Sequence, residues 1–222
     1  MTPASSPTET SIVTMDRRHA PAIARLHQLG LPRGFLSTLG DSFLEELYQA
    51  IARAPESVVW VAESPTGRCV GFIAGTTNVG RCYRAVLCKA WFRLGARLVT
   101  RVWRPIVLRR TAQTLLYPLR RRAEGHRRSG AVNAIQAELL SVAVAEEAHG
   151  TGVGKALVTA LEKAFRSWGH EGEYRVVTDA GDPRSNAFYR ALGFVHRLDF
   201  THHEHLMSCY TKICNWRPED MS

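Results

Sequence analysis

The chain has 222 residues, 45% apolar and 22% charged, which suits one globular domain with a buried core and excludes a low-complexity or fibrous chain. No run of 18 apolar residues occurs, so no membrane-spanning helix is expected. The net charge of +9 is uneven: residues 81–128 hold 13 Arg and one Lys against the single acid Glu124, while the rest of the chain is acidic on balance.

Residues 1–10 are rich in Ser, Thr and Pro, lack an apolar h-region and read as a short disordered lead, not a secretory signal. Residues 11–222 read as one domain. Ser11 to Met15 is a strand, and His19 to Gly30 a helix with Ile23, Leu26, His27 and Leu29 at roughly helical spacing. Leu31 to Gly40 is a loop. Asp41 is placed as the cap of a second helix whose buried stripe is Phe43, Leu44, Leu47, Tyr48 and Ile51. Ser57–Glu63 and Cys69–Thr76 form an antiparallel hairpin across the turn at Pro65-Thr66-Gly67. Residues 81–129 read as a basic insertion with two amphipathic helices, Leu87, Trp91, Leu94, Leu98 and Val102 opposing Arg93, Arg97, Arg101 and Arg104. Asn133 to Val144 is a strand. Val153 to Trp168 is a helix with Leu157, Val158, Leu161, Ala164, Phe165 and Trp168 inward. Tyr174 to Thr178 is a strand, Arg184 to Leu192 a helix stopped by Gly193, and two strands follow at 194–200 and 205–213.

Five cysteines, an odd number with no CxxC pair, argue against a disulfide framework and for a reducing, cytoplasmic setting. His202, His203 and His205 do not make a metal site, because neighbours on a strand point to opposite faces and no Cys or distant His completes the set. No metal is expected.

The pattern that carries chemistry is strand, glycine loop, helix. His149-Gly150-Thr151-Gly152-Val153-Gly154-Lys155 opens a helix, and a helix N-terminus offers free N–H groups and partial positive charge to an anion. Glycines there let backbone approach a phosphate closely. The spacing is not the dinucleotide-binding G-x-G-x-x-G. It is not a P-loop either, because Ala156 follows Lys155 where Ser or Thr is needed. A second element follows one strand later: Asp182-Pro183-Arg184-Ser185-Asn186-Ala187-Phe188-Tyr189-Arg190-Ala191-Leu192-Gly193-Phe194.

Together these two elements resemble the GNAT superfamily of N-acetyltransferases. Gly152 and Gly154 match the glycines of its first signature, and Ser185, Tyr189 and Gly193-Phe194 match its second. The likeness is carried most fully from Asn133 to about Ile213. The strand–helix–helix–strand–strand order of residues 11–78 is also like the family's, and residues 81–129 lie outside it. His149 stands where the family has Gln or Arg, and Asp182 where it has Asn. The resemblance implies an α/β (α+β) GNAT fold: a mixed, mostly antiparallel sheet of about seven strands flanked by helices and splayed where acyl-CoA binds. It also implies acetyl-CoA or another acyl-CoA as co-substrate and an amine, of a small molecule or a protein, as acceptor. Val142 and Val144 would pair with the pantetheine arm. His149 and the main chain of Gly150, Gly152, Val153, Gly154 and Lys155 would hold the pyrophosphate, and Asn186 would bind the cofactor arm. Tyr189 would give a proton to the departing thiolate.

The chemistry of Tyr189 agrees independently. A phenol with pKa about 10 can protonate a thiolate whose conjugate acid lies near 8.5, given hydrogen-bond reach. Glu138, on the strand ahead of the loop, is the expected general base, with Ser141 and Asp179 as weaker alternatives. The basic insertion fits a helical cover over the core, an anionic membrane surface touched peripherally, or an acidic acceptor; nothing in it points to nucleic acid. A non-catalytic CoA-binding or docking module is the rival to an acyltransferase.

Overall fold

A computed structural model describes residues 10–32, 34–88, 132, 134–202 and 205–214. Most of the basic insertion, with its second helix and its lipid or acidic partner, and the 1–9 lead lie outside the described residues, as does His203. Residues 79–88 are helical.

Seven strands form one sheet in the order β1-β2-β3-β4-β5-β7-β6. They are β1 Ser11–Thr14, β2 Ser57–Glu63, β3 Cys69–Thr76, β4 Ala137–Val144, β5 Glu173–Asp179, β6 Val195–His202 and β7 His205–Ile213. Every pair is antiparallel except β4–β5. The fold is thus the mixed, mostly antiparallel seven-stranded sheet that the resemblance implied.

The strands alternate, so each side of the sheet buries its own core. On one side Val59, Val61, Phe72 and Ala74 pack with α1 Ala20–Gly30, α2 Asp41–Ala52 and, through Cys82 and Val86, the helical residues 79–88. On the other, Ala62, Ile73, Ala137 and Leu139 pack with α3 Val153–Ser167 and with Phe188 and Tyr189 of α4 Pro183–Ala191. Within β4 the alternation breaks once. Ala74 pairs with Ser141 and Gly75 with Leu139, so Leu140 is an extra residue in β4. Ala137 and Leu139 precede this bulge on the α3 side. Past it, that side takes Val142 and Val144, while Ala143 joins the α1–α2 side.

Gly71 and Gly75 have packing reasons. A Cβ on Gly75 would lie 2.5 Å from Leu161 Cδ1, and one on Gly71 3.2 Å from Leu157 Cδ1. α3 therefore rides directly over the β3 backbone.

Several boundaries differ from expectation. Trp168 is 40% exposed, because it is the C-cap residue of α3 and has left the helical stripe. Leu29 is 69% exposed, since it sits about 200° around α1 from buried His27. The N-cap of α2 is Gly40 at φ 86°, and Asp41 is the first helical residue with no side-chain cap bond at this end. The expected 31–40 loop contains a 3-10 turn, Phe35–Leu39. β4 begins at Ala137, not at residue 133.

Gly75→Ala should destabilise the protein by about 1–3 kcal/mol through overpacking against Leu161, read as a lower urea midpoint at unchanged m-value. A midpoint equal to wild type would show that α3 is free to lift from β3.

Candidate active site

β4 and β5 pair at three positions only: Ala137 with Tyr174, Glu138 with Arg175 and Leu139 with Val176. Beyond them β4 continues along β3 to Val144, and β5 continues along β7 to Asp179. The facing edges of residues 140–144 and 177–179 therefore have no ladder between them. The parting begins at the bulge. A cleft of about 1950 Å³ opens along it, with Ser141, Val142 and Val144 on one wall, Val177 and Thr178 on the other, and the glycine loop at one end.

The loop starts with a 3-10 turn, Glu146–Ala148, and enters α3 through two left-handed glycines, Gly150 at φ 76° and Gly152 at φ 88°. A Cβ at either would meet nothing within 4 Å. Glycine is required there for backbone conformation, not for space within the protein. Gly154 is different: its Cβ would fall 2.9 Å from Phe188 Cε2, so it serves the close crossing of α3 and α4.

No side chain caps the start of α3, and its first turn holds no acid. The first loop-to-helix bond runs from Ala156 N–H to Gly152 O. The N–H groups of Val153, Gly154 and Lys155 precede it and have no carbonyl four residues back to receive them within the helix. Thr151, which could have capped, donates its hydroxyl to Ala148 O at 2.7 Å instead. Exposed His149 lies 2.9 Å through Nε2 from Val144 O; a carbonyl only accepts, so Nε2 carries the proton. This bond ties the loop to the end of β4 and leaves Nδ1 as the ring's other polar atom.

Past β5, Asp182 caps α4. Its Oδ1 accepts from Arg184 N and Ser185 N, and its Oδ2 from Ser185 Oγ at 2.5 Å. Burial raises the carboxyl's pKa, but the Ser185 hydroxyl and the two amides outweigh it and hold it below the usual value. Asn186 does not reach the cleft. It is buried, donating Nδ2–H to the carbonyls of Asp179, Ala180 and Asp182 and accepting the Tyr210 hydroxyl on Oδ1. Its amide ties the turn between β5 and α4.

Tyr189 lines the cleft from α4, 6% exposed, packed among Phe188, Phe194 and Tyr210 with ring centroids 5.4, 5.4 and 6.1 Å away. Burial, with the nearby charge of Asp182, pushes its phenol well above 10, so it stays protonated at neutral pH. Glu138 also lines the cleft but is not free. Nε and Nη2 of buried Arg175 lie 2.7 and 2.6 Å from its Oε2, and Arg175 reaches Val132 O as well. The lone pairs of Oε2 are committed to the guanidinium, which leaves Oε1 for any base chemistry.

A third polar group, Ser141, read from sequence as a weaker alternative base, has partners that the sequence reading did not assign to it. Ser141 Oγ lies 2.7 Å from Tyr48 Oη, which lies 2.6 Å from His27 Nδ1. His27 and Tyr48 were read only as members of apolar helix stripes. Two polar-tipped residues in the stripes of consecutive helices were the one available signal. Burial lowers the His27 pKa to about 4, so the ring is neutral at physiological pH. Burial raises that of Tyr48 more than its Ser141 bond lowers it. Among the described residues no cluster of three or more His, Cys, Asp or Glu could hold a metal, and no helix is long and apolar enough to cross a membrane.

Residues 117–194 match a family model described as the acetyltransferase (GNAT) family. No curated protein matches the chain. Solved structures share its fold: one described as SsHAT at TM-score 0.64 and 16% identity, covering 94% of this chain and all of that one. Ard1 from Thermoplasma volcanium follows at 0.55 and 16%, covering 92% and 97%. A spermidine/spermine N-acetyltransferase, SpeG from Vibrio cholerae, matches at 0.51 and 12%, covering 92% of each chain. The GNAT resemblance of the two sequence elements is borne out by the family match and the shared fold.

Asp182→Ala should destabilise the protein by about 0.5–2 kcal/mol at neutral pH through loss of the cap. The depressed pKa stabilises the fold above the unfolded Asp value of about 3.9 and loses that contribution as pH falls through the lower folded value. The difference between variant and wild type should therefore shrink on acidification below about pH 4. A gap that persists unchanged to lower pH in paired denaturation curves would rule out the charged cap.

Proposed function

We propose, for a chain that carries the GNAT fold and matches the GNAT acetyltransferase family over residues 117–194, that it transfers an acetyl group from acetyl-CoA to an amine by direct attack. The observation that carries this reading is the continuity of two features: the unpaired β4–β5 edges and the uncapped start of α3 lie along one cleft.

The residues present fit a CoA. The exposed backbone of residues 140–144 suits an amide-bearing arm that completes an interrupted ladder, with Val142 and Val144 beside it. The N–H groups of Gly152, Val153, Gly154 and Lys155 and the positive helix end suit a pyrophosphate. Gly150 shapes that turn, and Lys155 adds charge. His149 supports the loop through Val144 and presents Nδ1 at its surface. Asn186 braces the turn between β5 and α4. When bound, acetyl-CoA supplies an activated thioester.

Tyr189 then acts as the general acid. The amine lone pair forms the new C–N bond and the C–S bond breaks; the departing sulfur takes the Tyr189 proton, and the proton that the amine nitrogen loses returns through solvent to the Tyr189 phenolate. The raised phenol pKa keeps that proton in place until negative charge develops on sulfur. Glu138 is assigned to fix Arg175 and the start of β4, with Oε1 left to attract a cationic acceptor, in place of the free general base expected from sequence. The acceptor is an amine; the Vibrio cholerae neighbour, by its description, acts on spermidine and spermine.

CoA should raise the melting temperature of the wild-type protein. Gly152→Ala should weaken that binding about tenfold, since a Cβ at φ 88° costs about 1–2 kcal/mol. Tyr189→Phe should bind CoA normally yet lose about 10²-fold in kcat in thiol-release assays with an amine panel. A protein that no CoA stabilises, or a Phe variant at full kcat, would defeat the corresponding assignment.

A further inference from the structure

Ser141 is the first β4 residue past the bulge and stands where β4 leaves β5. It lines the cleft, as do Glu138, Tyr83 and His27. Among the described residues its hydroxyl has one hydrogen-bond partner, Tyr48 Oη. Tyr48 is wholly buried in α2, its ring edge-on to Phe72 at 5.0 Å, and its hydroxyl continues to His27 Nδ1 on α1. His27 is 3% exposed, and its Nε2 has no partner among the described residues.

The chain has a direction. A neutral imidazole carries one N–H, so Nδ1 either donates to Tyr48 or accepts from it. A phenol is the more acidic of the two hydroxyls and the better donor, and an imidazole nitrogen is a strong acceptor. With Tyr48 as the donor to His27 Nδ1, the ring proton sits on Nε2. The Tyr48 oxygen then receives the Ser141 proton, and Ser141 Oγ is left with lone pairs alone to offer the cleft. His27 holds this arrangement from the buried end; as a neutral ring in an apolar site it is no sink for a proton.

We propose that Ser141 Oγ, fixed as a pure acceptor by Tyr48 and His27, receives a hydrogen bond from an N–H of the attacking amine and aims the nitrogen lone pair at the thioester carbon. This rests on the amine-acetylating reading above. Ser141 touches the substrate; Tyr48 and His27 are positioning residues that act through it. The arrangement selects acceptors with an N–H on the nucleophilic atom and disfavours a lone-pair-only nucleophile. No proton needs to travel along the chain.

The test is a double-mutant cycle on the full chain. Ser141→Ala removes the acceptor and leaves Tyr48 and His27 paired with each other, so stability should change little. Tyr48→Phe keeps the ring against Phe72 and frees the Ser141 hydroxyl to rotate. Each should lower kcat/KM for the amine about tenfold, the weight of one hydrogen bond. KM for acetyl-CoA and the CoA-induced melting shift should stay at wild-type values. The double variant should be no worse than the poorer single one, because both changes break the same chain. Wild-type turnover with unaffected variants, or losses that multiply in the double variant, would overturn the alignment alone. Absence of wild-type turnover with every amine, despite CoA binding, would overturn the proposed function and the alignment together.

Discussion

Leu140 has no opposite number on β3. That single extra residue shifts the side-chain alternation of β4 by one place and bends the strand away from β5. Three backbone pairings hold β4 to β5, and then the two strands part. Unpaired backbone groups are expensive to bury, so an opened ladder persists only where water or a ligand completes it. The cleft is the consequence. Every polar group assigned above is defined by its position relative to that opening: Val142 and Val144 beyond it on the α3 side, Ser141 on the other, Tyr189 facing it from α4.

The rest of the sheet makes the bend tolerable. β4 stays paired with β3 on both sides of the bulge, and β5 keeps its register with β7, so each strand stays anchored on its outer edge. α3 clamps the first half through Leu157 and Leu161 over Gly71 and Gly75. Packing α3 that low also brings its uncapped N-terminus to the end of the cleft, and Gly154 lets α4 cross against it through Phe188. The three glycines of the loop thus divide by function. Gly150 and Gly152 set the turn, and Gly154 sets the helix spacing on which the placement of Tyr189 depends.

Much of this was legible in residue patterns. The hairpin Ser57–Glu63 with Cys69–Thr76 was found residue for residue, because alternation and the Pro-Thr-Gly turn agree. The glycine loop and Tyr189 stood out because their spacing matches a known pair of elements, and both line the cleft. The bulge was not legible: a one-residue insertion in an apolar run leaves no mark on periodicity. Asn186 is a related case. A motif position shows that a side chain matters but not whether it faces a ligand or, as here, three backbone carbonyls. Glu138 looked free because its partner, Arg175, is 37 residues away on the adjacent strand.

The polar groups of the α1–α2 side follow one rule. Glu138 and Ser141 are separated by the bulge yet face the same side, where the helices cover them incompletely. Each is restrained by a buried partner on another element, Arg175 for the first and Tyr48 for the second. The restraint decides which lone pairs remain for the cleft: one carboxylate oxygen and one hydroxyl oxygen. Two acceptors in this place suit a ligand that arrives with donors, and an amine is such a ligand. The chemistry of the opening and the chemistry of its inner wall therefore point to the same class of acceptor, from residues that the family signatures do not include.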